Sequence, residues 1–279
     1  MERISNLVSV VIPCYNHGNF IHGAIDSILK QTYQNLEIII VDDGSTDKKT
    51  ISILRKINFP NTRVYRKENG GPASARNYGI RKSSGEFILT LDADDKFHPT
   101  FVEKAVYILQ HSPETGMVTS YVKRIYKSRI VKTELHGGAV SSFLLKHDAS
   151  ASLLYRYVCW KDANGYDENI PGFEDWDFAI GVTKKGWNVY SIPEYLFFYR
   201  NVGNSQYKRD LQKSPKIIQY ITEKHESVFK EHISEILYAK ELQIREYTNT
   251  VDKYKNSYAQ KIGNAVIKPM RVMKSLLLT

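Results

Sequence analysis

The sequence predicts an α/β protein built on a Rossmann-like, mostly parallel sheet, with a helical extension at its C-terminal end. Three features point there. Continuous apolar runs recur through the first half, helix-spaced apolar residues lie between them, and a polar C-terminal stretch carries apolar residues in three- and four-residue steps. At 279 residues the chain holds one large domain, or a domain with an appendage, and its 42% apolar and 25% charged residues are those of a globular protein.

Residues 7–12 are an apolar run closed by Pro13, the pattern of a strand covered on both faces. Phe20, Ile21, Ala24, Ile25, Ile28 and Leu29 then recur at helical spacing. A second run, 36–41, ends in Asp42 and Asp43, and a helix-like segment over 50–57 leads to a short strand at 63–66. A helix is expected over 73–82 and a third buried strand over 87–91, ending in Asp92; Pro99 opens a helix that reaches His111. This strand and helix alternation gives a parallel sheet, and ligands of such sheets collect beyond the carboxyl ends of the strands, where helix N-termini offer unpaired N–H groups. The acidic residues fall at those ends. Strand-like pieces at 117–121 and 188–192 flank a helix expected over 174–185. Ser214 and Pro215 read as an N-cap and a first helical position. Beyond them Leu237, Ile244, Tyr247, Val251, Tyr254 and Tyr258 form an amphipathic stripe, interrupted at Lys240, with coiled-coil spacing.

The net charge is +9, and residues 206–279 carry +6 of it through 14 Lys/Arg against 8 Asp/Glu, so the basic excess belongs mostly to the tail. No basic patch interleaved with aromatics forms a recognisable nucleic-acid module, which argues against nucleic acid as a partner. Cys14 and Cys159 have no metal-site or disulfide spacing, consistent with a reducing compartment. The first residues enter a strand pattern without a signal-peptide-like apolar region, and no apolar run reaches the ~18 residues that span a bilayer. The expectation is a cytoplasmic chain, soluble or attached to the inner face of the membrane.

LDADD at 91–95 is the central chemical feature. Carboxylates two apart at the end of a buried strand can bring oxygens to one point, as Mg²⁺ or Mn²⁺ requires beside substrate phosphates. Alone, the motif also fits an Asx-rich turn, or a phosphatase nucleophile. The phosphatase reading expects a hydroxyl residue shortly after, where Lys96 and Phe97 stand. Tyr15, beside Pro13 and Asn16, offers a flat face after the first strand. Asp42 offers an acceptor for a base N–H, whereas Asp43 is read as shaping only the Gly44 turn. Gly70 and Gly71 allow close backbone approach, and Arg76 can either reach phosphate or pair with Asp92.

VSVVIPCYN (8–16), LEIIIVDDGSTD (36–47), ENGGPASARNYGI (68–80), LDADD and GFEDWD (172–177) occur in this order, and together they closely resemble the inverting family-2 glycosyltransferases of GT-A fold. The resemblance covers about residues 8–205. It implies a GT-A domain over 1–205, with a nucleotide-binding half to about 115 and an acceptor-side half to 205, followed by the helical extension 206–279. It further implies transfer of a hexosyl or N-acetylhexosaminyl group from a nucleotide-sugar, a UDP-sugar by family weight, to a glycan or lipid-linked glycan hydroxyl. Pro13, Tyr15, Asn16, Asp42, Gly71, Arg76 and Asp92 then belong to the donor site, Asp94 to a divalent metal, Mn²⁺ or Mg²⁺, and Asp175 to the acceptor as general base, with Glu174 its rival. Acidic residues in a first helical turn are also favoured by the helix dipole alone.

One position departs from the family pattern. Many members carry a His after a Tyr-Arg pair near the end of the domain, where this chain reads FFYRNVGNSQ with Val202 in that place. His17, His136 and His147 offer no obvious replacement. A weaker metal site, substitution by Arg200 or Asn204, or a non-catalytic glycosyltransferase-like subunit are the alternatives. From residue 256 on, Lys261, Lys268, Arg271 and Lys274 alternate with apolar residues and no acidic residue occurs, a composition for an anionic membrane surface, for packing on the domain or for self-association through the helices.

Overall fold

In a computed structural model of the chain, the described residues are 2–201, 206–257, 260–263 and 265. The chain divides into two compact units, Met1–Glu231 and His232–Thr279.

The first unit opens with β1 (Ile4–Cys14), α1 (Gly18–Leu29), β2 (Leu36–Asp43), α2 (Lys48–Arg55), β3 (Thr62–Lys67), α3 (Gly71–Arg81) and β4 (Gly85–Thr90). It continues through β5 (Lys96–Phe97), α4 (Phe101–His111), β6 (Thr115–Ile125), β7 (Ile130–Thr133), β8 (Gly137–Gly138), α5 (Val140–Leu145), β9 (Leu154–Arg156), α6 (Tyr157–Asp162), α7 (Glu174–Thr183) and β10 (Asn188–Arg200). The helices α8 (Gln206–Lys224) and α9 (Glu226–Glu231) complete it. The described strands form one sheet in the order β3-β2-β1-β4-β9-β6-β10-β5, with β7 on β6 and β8 on β10. The long registers are parallel: β1 with β2 and β4, β2 with β3, and β6 with β10. The antiparallel pairings, such as β9 inserted between β4 and β6, are short.

At β1, β2 and β4 the sheet is covered on both faces, which is why those strands are continuously apolar. Val8, Val10, Ile12, Ile38 and Ile40 join Ile21, Ile25 and Ile28 of α1 and Phe101 and Val102 of α4 in the main core, while Ile39 and Val41 pack with Ala75 of α3. Gly79 sets the distance of that second layer, since a Cβ there would lie 2.5 Å from Val11 Cγ1. Asp47 caps α2 by accepting from the Lys49 and Thr50 amides.

Three sequence expectations are corrected. Pro215 lies inside α8 and does not open it; burial of Ile217 and Ile221 holds the helix in place despite the backbone bond that proline forfeits. β10 runs on to Arg200, past the expected end at 192, because its register shifts between Ile192 and Tyr195 and carries Pro193 through the irregularity. β6 likewise extends to Ile125 where it meets β10 and β7. The first unit includes α8 and α9.

The described part of the second unit is chiefly α10 (Ile233–Lys255), on which Leu237, Ile244, Tyr247, Val251 and Tyr254 are all exposed. No helix among the described residues is long and apolar enough to cross a membrane. Tyr258, most of the basic tail read from residue 256 onward, Val202 and Asn204 lie outside the described residues.

Candidate active site

A cavity of about 570 Å³ opens at the carboxyl ends of β1, β2 and β4 and is closed on its far side by the start of α7 and the ends of β6 and β10. Pro13 and Tyr15 line it, Tyr15 being 45% exposed and so able to cover a planar group. Asn16 does not line it. With φ at 56°, its side chain accepts from the Thr46 and Asp47 amides at 2.9 Å each, tying the end of β1 to the loop after β2.

The two aspartates of β2 differ in their surroundings. Asp42 is buried away from the cavity, accepting from the Ser45 amide at 2.8 Å and pairing with Arg66 at 2.7 Å. Asp43 lines the cavity, and accepts from the Gly71 amide at 2.8 Å, the Gly70 amide at 3.1 Å and Lys67 Nζ at 2.8 Å. Gly71 is needed for its φ of 84°, with open space where a Cβ would be, and its N–H is already given to Asp43.

Arg76 is buried at the wall of the cavity and paired within the protein. Its Nη2 donates to Asp92 Oδ1 at 2.8 Å and its Nη1 to Glu174 Oε1 at 2.5 Å, so one guanidinium joins the exit of β4 to the first turn of α7. Burial disfavours its charge, but the two carboxylates outweigh that and hold it protonated well above the usual range. Glu174 is thereby committed, with its carboxyl raised by burial and lowered by Arg76. Its neighbour Asp175 is not. Asp175 Oδ1 accepts from the Trp176 amide at 2.9 Å, and Oδ2 lies 3.5 Å from His147 Nδ1. The turn into α7 needs Phe173 at φ 55°, a conformation a bulky residue adopts only where surroundings hold it, and Trp176 Nε1 anchors it by donating to Phe143 O at 2.6 Å.

At the exit of β4, Asp92, Asp94 and Asp95 all line the cavity. Asp95 Oδ1 accepts from the Arg200 amide at 2.8 Å, locking this loop to the end of β10. Burial, then the charge of Asp92, raises the Asp94 carboxyl above its ordinary range; burial with Asp92 and Asp94 raises Asp95 further. Such crowded, partly desolvated carboxylates leave negative charge that a cation can neutralise. His17 Nδ1 stands 3.9 Å from Asp94 Oδ1, and Arg200 lines the same wall. Among the described residues no three His, Cys, Asp or Glu side chains are placed to share one ion. The donor set therefore fits a hard cation completed by ligand phosphates, and not a site closed by protein alone.

A second cavity of about 450 Å³ lies against α7, where Asp167, Asp177, Lys184, Lys224 and His225 meet. Its charged groups serve each other: His225 Nε2 to Asp177 at 2.9 Å, and Lys224 to Asp177 and Asp167 at 2.7 and 2.6 Å. They dock α8 on α7, and the acidic chemistry lies in the larger cavity.

The family model of glycosyl transferase family 2 matches residues 9–159, more than half of the chain. The chain belongs to that family. An uncharacterized glycosyltransferase of Rickettsia conorii is 31% identical over 95% of this chain and 45% of its own length, and one of Haemophilus influenzae is 32% identical over 76% and 72%. Against three Rickettsia relatives the chain spans only 27%, 45% and 63% of their length. Among solved structures, S. aureus TarS with UDP-GlcNAc superposes with a TM-score of 0.62 at 21% identity, over 72% of this chain and 60% of that one. Mannosyltransferase PcManGT from Pyrobaculum calidifontis, with GDP-Man and Mn²⁺, does so with 0.64 at 19% identity, over 95% and 80%. These two likenesses show the GT-A fold.

Of the residues predicted from sequence, the structure gathers Pro13, Tyr15, Gly71, Arg76, Asp92, Asp94 and Asp175 around one cavity and leaves Asn16 and Asp42 outside it. Sequence reasoning gave no site role to Asp43, His17 and His147. Asp43 carried a signal, since it is the last residue of β2; the two histidines carried none, being single residues in segments without a pattern.

Proposed function

We propose that this chain transfers a glycosyl group from a nucleotide-sugar, with a UDP-sugar the expected donor, to a hydroxyl of a glycan or lipid-linked glycan, with inversion at the anomeric carbon. The observation that carries the reading is that Arg76 engages Glu174 and leaves Asp175 facing the cavity that Asp94 lines. In a single displacement the acceptor oxygen bonds to the anomeric carbon as the bond to the diphosphate oxygen breaks, and the acceptor proton passes to Asp175. Tyr15 and Pro13 cover the base, and Asp92, fixed by Arg76, faces the sugar side. Asp94 with the donor phosphates would hold Mn²⁺ or Mg²⁺, which neutralises charge on the departing diphosphate when bound. Structural relatives solved with UDP-GlcNAc and with GDP-Man and Mn²⁺ support the donor class.

A thermal-shift panel of UDP-, GDP-, TDP- and CDP-sugars, each with and without Mn²⁺, tests this, because a ligand that binds the native state raises the melting midpoint by mass action. The expected result is the largest shift with a UDP-sugar plus Mn²⁺. No shift with any donor would contradict the proposal.

A further inference from the structure

The Asp175 carboxylate has two polar contacts among the described residues: the Trp176 amide on Oδ1, and His147 Nδ1 at 3.5 Å from Oδ2. The histidine is itself well placed. Its ring runs nearly parallel to that of Trp176, at 15° with centroids 6.5 Å apart, and next to it buried Asp148 accepts from the His136 amide at 3.1 Å, fixing the segment after α5. Its Nε2 is buried and has no partner.

These contacts fix the Nδ1 side of the ring. A carboxylate oxygen accepts hydrogen bonds, so Nδ1 carries the proton and is the donor toward Asp175. A separation of 3.5 Å is longer than a formed hydrogen bond, as contacts to catalytic groups often are before substrate is bound.

We propose that His147 is a positioning residue: its Nδ1–H holds Oδ2 of Asp175 and fixes the direction in which the carboxylate meets the acceptor hydroxyl. The proposal rests on the reading of Asp175 as the base. Its counterpart on the other side of the first turn of α7 is Arg76, which holds Glu174 away, so neighbouring acidic residues are held by two different donors.

Histidine-selective ¹⁵N NMR on the intact protein, with His147→Leu to assign the resonance, reads the tautomer directly. The expected signal is a protonated Nδ1, lost in Asp175→Ala; a bare Nδ1 in the native protein overturns the proposal. Kinetics supply the second arm, read as nucleoside diphosphate release from the donor that the thermal-shift panel selects. Asn places an N–H where His carries Nδ1–H, whereas Leu keeps the bulk and loses the donor. His147→Asn is expected to stay within about 3-fold of the native kcat, and His147→Leu to lose ~10- to 100-fold, the scale of misplacing a reacting group, with donor KM unchanged. Native kcat in His147→Leu, equal losses in both variants, or a donor KM that rises as kcat falls would each overturn it. Asp175→Asn separates the layers: if it retains turnover, the base assignment fails and this proposal with it, and if it is inactive while His147→Leu is silent, only the role of His147 fails. Should the Leu variant not fold, the tautomer signal lost in Asp175→Ala still decides.

Discussion

Arg76→Met puts the hub of the site to a quantitative test. Methionine keeps much of the arginine stem's volume, so the change removes charge and hydrogen bonds more than packing. It leaves two carboxylates behind: Glu174, with 12% of its side chain exposed, and Asp92, with 32%. Removing one partner of a buried ion pair costs about 3–5 kcal/mol because the other charge is stranded, and Glu174 meets that condition while Asp92 is partly relieved by water. For a unit of this size 1 kcal/mol moves the melting midpoint by about 2–4 °C, so a drop of roughly 6–20 °C is expected. Adding Glu174→Gln should recover most of the loss, since the stranded charge is gone. Urea unfolding of the two single variants and the double variant forms the cycle. An Arg76→Met protein within ~1 kcal/mol of the native one, or a double variant no more stable than Arg76→Met, would refute the reasoning.

Asp94→Ala should abolish the extra thermal shift that Mn²⁺ adds to donor binding, and calorimetry should find no tight Mn²⁺ binding to the donor-free protein; tight binding there would mean the metal has more protein ligands than Asp94 and its neighbours supply. Burial pushes the thiols of Cys14 and Cys159 up to about 12, so a thiol reagent at about pH 8 should modify neither in the native protein and both after denaturation. Gly79→Ala should destabilise by ~1–3 kcal/mol despite its better helix propensity, because the new Cβ would meet Val11 Cγ1 at 2.5 Å inside a closed core; a stabilised variant by thermal melt would show that α3 can move off the sheet.

The parallel half of the fold was legible because β1, β2 and β4 bury both faces and so write uninterrupted apolar runs, as residues 36–41 do within β2. The other half was harder. β9 has three residues and β5 and β8 have two each, too few to establish any period, and Pro193 concealed the continuation of β10. Within the site, Asp92 and Asp94 were readable because they follow the end of β4, where topology collects ligands, and Asp175 through the family resemblance that GFEDWD carries. What the sequence could not state is which of two adjacent acids is consumed by a structural partner. Glu174 against Asp175 is decided by Arg76, a residue 98 positions from Glu174, and the direction of Asp42 and Asp43 by Arg66 and Lys67, 24 positions on. Contacts of that span are set by tertiary packing, and the spacing of a motif does not encode them. The same holds for His147, which meets Asp175 only because α5 packs against the start of α7.

The central claim is that Asp175 removes the acceptor proton and contributes little to holding the donor. The direct measurement is turnover and donor affinity of Asp175→Asn side by side, the amide keeping the shape and losing the basicity. The account predicts a fall of ~10²- to 10⁴-fold in kcat with the donor-induced thermal shift unchanged. Turnover within a few-fold of the native protein, with donor binding intact, would contradict it.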